Sequence, residues 1–390
     1  MKILYLNHNI SGEGTYFRAF NFAKHLAAAG HDMTLITVSP DSNFKAREKT
    51  LNNVRVIEAP RFLDQHRGGW APLDILFRIK HVLTNNYDII HGFDHKPNVS
   101  FPMYASKFAG KKAVLVSDWA DWWTKGGISA ASRLTPEILI ETALEESVRR
   151  LAGYNTVTSR VLYERARKLG IRKKDIFYIP SGCDTDNIKP LSKQAALSAK
   201  RKLKIGPAKK IFEFIGFGTG DVDILIDAFN ILRGRRKDCL FLIVGPLDAK
   251  LSGKIASSPY AGDIISTGRV PYREIPMYAG IADVCLLPLR DNPANRGRGP
   301  IKAGDYMAAG KPIIANPVGD ISYFIKKYGV GITAGFEPDD MADKMQEMIN
   351  NPGLMKKCAA NSIKTARNVL SWDTVSGQME KVYTGILKSR

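Results

Sequence analysis

Cysteine is scarce in this chain: Cys183, Cys239, Cys285 and Cys358 are the 4 in 390 residues, and none sits at the spacing of a redox pair or a metal knuckle. That scatter excludes a disulfide-stapled scaffold and is what reduced, buried thiols of a cytoplasmic protein look like. Long apolar runs are missing too, and the stretch from Met1 to Asn9 is too short for a leader or a span, so membrane contact is expected only at a surface. Acidic side chains are few, 38 against 57 basic, leaving a formal charge of +19. The imbalance favours anionic partners. No dense Lys/Arg tract interleaved with aromatics accompanies it, which argues against nucleic acid. No His, Cys or carboxylate cluster has metal-ligand spacing, and no Ser or Cys nucleophile motif stands out, so neither a metal nor a cofactor is expected.

What is present is the composition of a globular protein, 44% hydrophobic and 24% charged, long enough for two domains. Short apolar runs alternate with amphipathic segments, the pattern of parallel strands joined by crossover helices. A first series predicts strands at Lys2–Leu6, Met33–Val38, Val54–Glu58, Asp88–Phe93, Ala113–Asp118, Thr156–Ser159 and Ile176–Ile179. Its helices fall at Thr15–Ala29, Leu73–Thr84, Pro97–Ala109 and Pro136–Leu151. A second series predicts strands at Ile211–Gly216, Cys239–Val244, Asp263–Thr267, Val284–Leu289 and Pro312–Ala315, with helices at Val222–Arg233, Ile275–Ile281, Ile301–Ala309 and Pro338–Asn350. The fold class is therefore α/β, two doubly wound Rossmann-like domains facing across a cleft.

The segment from Gly297 to Ala315 joins a basic glycine loop, a short helix and a buried strand. Pro300 suits the first helical position and Gly310 the left-handed position that ends the helix. The free N–H groups of that helix start, with Arg296, Arg298 and Lys302 around them, can hold a phosphate. Asp305, beyond the first turn, can accept hydrogen bonds from sugar hydroxyls. An ordinary αβ unit with a solvated basic loop is the competing reading of the same spacing.

Nearly end to end, the chain resembles family 4 (group 1) of the nucleotide-sugar glycosyltransferases, which have the two-Rossmann-domain GT-B fold. The resemblance rests on Ser11-Gly12-Glu13-Gly14-Thr15, Ile179-Pro180-Ser181-Gly182-Cys183-Asp184, Thr267-Gly268-Arg269-Val270-Pro271 and the run from Ala282 to Leu289. It continues through Asp305-Tyr306-Met307-Ala308-Ala309-Gly310-Lys311-Pro312 and Ser371-Trp372-Asp373. It implies an acceptor-side domain over 1–184, a donor domain over 185–370 and a C-terminal helix over 371–390 that crosses back to the first domain. It also implies retaining transfer from a nucleotide sugar; the basic balance and the tryptophans Trp119, Trp122 and Trp123 point to a glycan, lipid-linked or cell-envelope acceptor, at the inner face of a membrane with peripheral contact.

Carried over position by position, the resemblance has Arg296, Gly297, Arg298, Gly299, Pro300, Ile301 and Lys302 hold the donor diphosphate. Asp305 takes the place of the glutamate that binds the ribose, Arg269 and Val270 lie against the base, and Gly12 and Gly14 form the N-terminal glycine loop. Lys302, Asp305, Asp118 and Arg298 are the expected catalytic set. Asp121, Trp122 and His91 are the expected acceptor contacts, His91 being equally readable as structural. The chain departs from the family in two places. Gly297 stands where the first motif glutamate belongs, and the donor-domain loop opening at Gly216, through Asp221, carries no cation. A leaving diphosphate needs such charge, so a weakened transferase-like partner subunit is the alternative reading, with Arg296, Arg298 and Lys302 as the substitutes that favour an enzyme.

Overall fold

The run Ile3-Leu4-Tyr5-Leu6 is apolar at every position and every one of these side chains is buried, as in a strand covered on both faces by crossover helices. The computed structural model describes residues 1–41, 43–62, 69–131, 135–217, 221–299 and 301–389. Two units divide it, the first comprising Met1–Ser181, Asn292–Gly299 and Trp372–Arg390, the second Gly182–Asp291 and Pro300–Ser371. The segment Asn292–Gly299 thus groups with the first unit, where the sequence reading placed it in the donor domain.

In the first unit the strands are β1 (Lys2–Ile10), β2 (Asp32–Val38), β3 (Arg47–Leu51), β4 (Val54–Ala59), β5 (Ile89–Phe93), β6 (Val114–Trp119), β7 (Tyr154–Val157) and β8 (Ile176–Tyr178). They lie in the order β3-β4-β2-β1-β5-β6-β7-β8. All neighbours are parallel except β3 with β4. Strand β3 is absent from the sequence reading because Arg47 to Leu51 are all exposed and carry no apolar period. Its signal is the turn: Asn52 and Asn53 take φ of 50° and 61°, the pair of left-handed residues a tight hairpin requires. Side chains alternate along β1, Ile3 and Tyr5 entering one core and Leu4 and Leu6 the other. The helix Trp372–Lys388 lends Trp372, Val375, Met379 and Tyr383 to the first of these cores.

The second unit holds β9 (Lys210–Ile215), β10 (Cys239–Val244), β11 (Ile264–Ser266), β12 (Val284–Leu287), β13 (Ile313–Ala315) and β14 (Gly331–Thr333), ordered β11-β10-β9-β12-β13-β14 and parallel throughout. The three-residue β14 is too short to show as a period in the sequence. Both sheets reverse their winding once, between β1 and β5 in the first and between β9 and β12 in the second. Ligands of doubly wound sheets sit at the carboxyl ends of the strands beside such a reversal.

A charged residue also lies in the core of the second unit. Glu213, midway along β9, has no exposed surface, and burial pushes its carboxyl up to about 8, against the pull of Lys311. Its Oε2 takes the Cys285 thiol at 3.7 Å, while Oε1 has no partner among the described residues. The folded chain therefore holds a proton that the unfolded chain releases near 4.5. Stability should decline as pH rises from there through about 8, by up to about 1.4 kcal/mol per unit. Glu213→Gln should flatten that decline in urea unfolding followed from pH 5 to 8; an unaltered slope would show that Glu213 titrates elsewhere.

Candidate functional site

In the second unit three glycines meet at the strand ends. Gly216, Gly245 and Gly268 follow β9, β10 and β11 with φ of 143°, 135° and 66°. A Cβ on Gly245 would strike the Gly216 carbonyl oxygen, and Gly245 bridges Gly268 backbone to backbone. The result is a cradle of main chain that side chains do not obstruct, the form an anion-binding concavity takes.

Lys302 reaches this cradle. Its ammonium lies where a side chain on Gly216 would be, 4.5 Å above the Phe214 ring. The helix Ile301–Ala308 that carries it is moored to β9, because the Ile215 N–H donates to the Tyr306 hydroxyl at 2.7 Å. A cation thus stands beside the start of the loop after β9, although that loop carries none in its sequence. Of that loop Gly218, Thr219 and Gly220 lie outside the described residues, as does Pro300. Asp221 and Asp223 face Arg290, at 3.7 Å and 2.8 Å.

Asp305, one turn on from Lys302, is buried. Burial raises its carboxyl to about 7, the Asp184 charge adds to the rise, and a hydrogen bond from the Asp184 backbone opposes it. A carboxyl near half-protonation at neutral pH both donates and accepts, which suits hydroxyl partners. Arg269 is exposed with its guanidinium 6.0 Å from the Phe217 ring, Val270 is half-buried, and Ile301 is exposed. Gly310 takes the expected left-handed φ of 70°.

In the first unit the glycine loop after β1 is built as its sequence requires. Gly12 and Gly14 take φ of 88° and 53°, and a Cβ on Gly14 would come within 2.6 Å of the Asn9 amide. Asn9 Oδ1 accepts the Thr15 N–H at 2.9 Å, and Asn7 donates to the Thr15 hydroxyl at 2.9 Å, so the loop enters its helix in a fixed direction.

Two expected contact residues turn out to be interior. Asp118 has no exposed surface: Arg18 Nη2 binds its Oδ2 at 2.9 Å, Arg18 Nε its Oδ1 at 3.1 Å, and the Thr156 hydroxyl its Oδ2 at 2.7 Å. Burial would raise this carboxyl, but the Arg18 charge and hydrogen bonds outweigh it and hold it below the ordinary value. Arg18 also binds the Ile179 and Pro180 carbonyls at 2.8 Å and 2.9 Å, so the pair ties β6 to the chain beyond β8. Asp118 is a positioning residue there, not a sugar contact. His91 is equally enclosed, between the Tyr383 hydroxyl at 2.6 Å and the Thr156 hydroxyl at 3.2 Å, and burial lowers it to about 3. It is a structural histidine.

Trp122 donates its indole N–H to the Thr124 carbonyl at 2.6 Å and lies under the Arg165 guanidinium, 4.4 Å from its ring centre. That face is packing rather than acceptor contact. Its other neighbour explains the missing motif glutamate: a Cβ on Gly297 would come within 2.6 Å of the Trp122 Cβ. Glycine at 297 is what lets the short helix Pro293–Gly297 close on the tryptophan loop. Gly299 lies similarly against Thr158. Arg298 faces Asp121, whose carboxyl is raised by burial against the Arg298 charge, and Arg296 is exposed. By their contacts Arg296 to Gly299 group with the first unit and Ile301, Lys302 and Asp305 with the second.

Sequence reasoning missed Gly245, which was visible as a glycine closing an apolar strand, and Tyr383, which no local pattern marks.

The chain matches the family models Glycosyltransferase Family 4 over residues 14–187 and Glycosyl transferases group 1 over 198–365. It is 24% identical over 293 residues to TuaH of Bacillus subtilis, named a putative teichuronic acid biosynthesis glycosyltransferase, covering 74% of this chain and 70% of that one. It is 22% identical over 294 residues to the alpha-D-kanosaminyltransferase of Streptomyces kanamyceticus, covering 73% and 74%. Among solved structures, sucrose-phosphate synthase from Thermosynechococcus elongatus superimposes with a TM-score of 0.77 at 16% identity, over 100% of this chain and 99% of that one. Anabaena HepE in complex with UDP-glucose does so with a TM-score of 0.75 at 16% identity, over 99% and 100%. These likenesses show the fold, which is GT-B.

Proposed function

The chain belongs to family 4 (group 1) of the glycosyltransferases, and from that premise we propose that it moves a sugar from a nucleotide-sugar donor with retention at the anomeric carbon. The observation that carries the donor assignment is the Gly216, Gly245 and Gly268 cradle with the Lys302 ammonium standing in it. Backbone N–H groups and one cation are the parts that stabilise a departing diphosphate as its charge develops. Asp305 binds the ribose hydroxyls, and Arg269 lies against the base. The acceptor hydroxyl attacks from the face the diphosphate leaves, and a phosphate oxygen takes its proton, so no protein nucleophile is needed. HepE, solved with UDP-glucose, supports a UDP-sugar as the first donor to try. TuaH, named for teichuronic acid biosynthesis, supports a cell-envelope acceptor, glycan or lipid-linked. Contact with a membrane would then be peripheral: among the described residues no helix is long and apolar enough to cross one.

A panel of UDP, GDP, ADP and dTDP sugars, scored for thermal stabilisation and slow donor hydrolysis, tests the reading, since a ligand that binds only folded protein raises its stability. Lys302→Ala should weaken the active nucleotide by about 10- to 100-fold, the worth of one hydrogen bond to a charged group. Asp305→Asn should weaken nucleotide binding while leaving inorganic diphosphate little changed. Unaltered affinities in both variants would remove the donor site from this cradle.

A further inference from the structure

The loop that opens at Gly216 has no cation in its sequence, yet an arginine from another strand lies over its start. Arg269 follows β11 and Phe217 follows β9, and in the order β11-β10-β9 the end of β10 stands between them. Strands stand about 4.8 Å apart, so two spacings separate the ends of β9 and β11 by about 10 Å. The Arg269 guanidinium is nevertheless 6.0 Å from the centre of the Phe217 ring. Its side chain therefore turns back from its own strand toward β9, across the end of β10. That end is Gly245, whose backbone bridges Gly268 and whose missing Cβ leaves room for the Gly216 carbonyl. Arg269 thus lies across the glycine cradle.

A guanidinium offers five N–H donors in a planar fork. Among the described residues that of Arg269 has the Phe217 ring and neither a hydrogen bond nor an ion pair. Other arginines of this unit are committed: Arg290 to Asp221 and Asp223 at 3.7 Å and 2.8 Å, and Arg233 to Asp263 at 2.8 Å. Phe217 is 65% exposed. A cation on a ring so open to water is held weakly, enough to set where it rests and too little to keep it from an anion. Gly216 and Phe217 therefore have one cation each beside them. The Lys302 ammonium fills the place of a Gly216 side chain, over the Phe214 ring, and Arg269 rests by the Phe217 ring.

A diphosphate carries its charge on two phosphates, and a lone ammonium meets it as a point charge. A guanidinium adds a fork that grips two oxygens at once. We propose that Arg269 is the second cation of the donor diphosphate, standing in for the one absent from the loop after β9, and that Phe217 is the positioning residue that holds it over the cradle. The assignment rests on the donor site proposed above. It gives the Arg269 side chain to phosphate, and leaves Val270 and the main chain at 269 to the base. As the diphosphate departs, charge grows on its bridging oxygen, and a fork already lying across the cradle meets that charge without rearrangement of the strands.

The test titrates the whole chain with UDP, GDP, ADP and dTDP and with inorganic diphosphate, which has no base, by calorimetry. Arg269→Ala should weaken the preferred nucleotide and inorganic diphosphate alike, by about 10- to 100-fold, the worth of hydrogen bonds to a charged group. Its ligand-free unfolding temperature should match the wild type, since the side chain it removes is exposed and unpaired among the described residues. Phe217→Leu should weaken both ligands less, Phe217→Tyr should bind as the wild type does, and Phe217→Leu added to Arg269→Ala should cost nothing more. Loss of nucleotide affinity with inorganic diphosphate unaffected puts the side chain on the base and overturns the assignment. Unaltered affinity for both ligands overturns it too. Losses from the two positions that add in full overturn the positioning role of Phe217. A wild type that binds none of the four nucleotides removes the donor site itself, and this assignment with it.

Discussion

Arg18→Ala should destabilise the first unit by about 3–5 kcal/mol, the usual consequence of stripping one partner from a buried ion pair. Arg18 and Asp118 have side chains 1% and 0% exposed, and with the guanidinium gone the carboxylate keeps, among the described residues, only the Thr156 hydroxyl. The Ile179 and Pro180 carbonyls lose their donor as well. Urea unfolding at pH 7 measures the loss. Adding Asp118→Leu to Arg18→Ala should recover part of it, because the pair's worth lies mainly in not leaving a lone charge buried. A single variant within about 1 kcal/mol of the wild type, the range of an exposed pair, would show that water reaches Asp118.

Gly245→Ala should cost nearly as much and take nucleotide binding with it. The added Cβ meets the Gly216 carbonyl, main chain that cannot rotate aside, at a φ of 135° that alanine avoids. Backbone strain and overpacking each cost about 1–3 kcal/mol. Relief can come only by spreading β9 from β10 at the ends where Lys302 reaches in. The control is Gly253→Ala in the helix Ala249–Ala256, where a Cβ meets nothing within 4 Å; it should be neutral or stabilising by about 0.5–1 kcal/mol. Thermal unfolding with and without the best nucleotide separates the two effects. Full nucleotide stabilisation in Gly245→Ala would place the phosphates away from the cradle.

Much of the fold was legible because strand burial is a local signal. Val114 to Val116 and Cys239 to Val244 are apolar runs wherever they are read, and Gly310 marks the end of its helix by its own backbone preference. The exposed β3 escaped because its identity lies in a two-residue turn, and β14 because three residues show no period. The candidate site was half legible: Lys302 and Asp305 stood out by their place on a short helix, as Gly12 and Gly14 did by theirs in a loop.

The sequence alone determined that the chain would form two doubly wound sheets with glycine-lined strand ends, since apolar period and glycine's freedom act within a few residues. Only the tertiary structure decided which buried polar residues find partners. His91 and Asp118 look in sequence like His95 and Asp94, each lying in or just after a parallel strand. His91 is closed off by Tyr383, 292 positions away, and Asp118 by Arg18, 100 positions away. His95 keeps both ring nitrogens without a hydrogen-bond partner among the described residues, while Asp94 accepts the Ala120 N–H and faces His8. Whether a buried donor or acceptor is satisfied depends on such distant neighbours, and no local pattern carries that information.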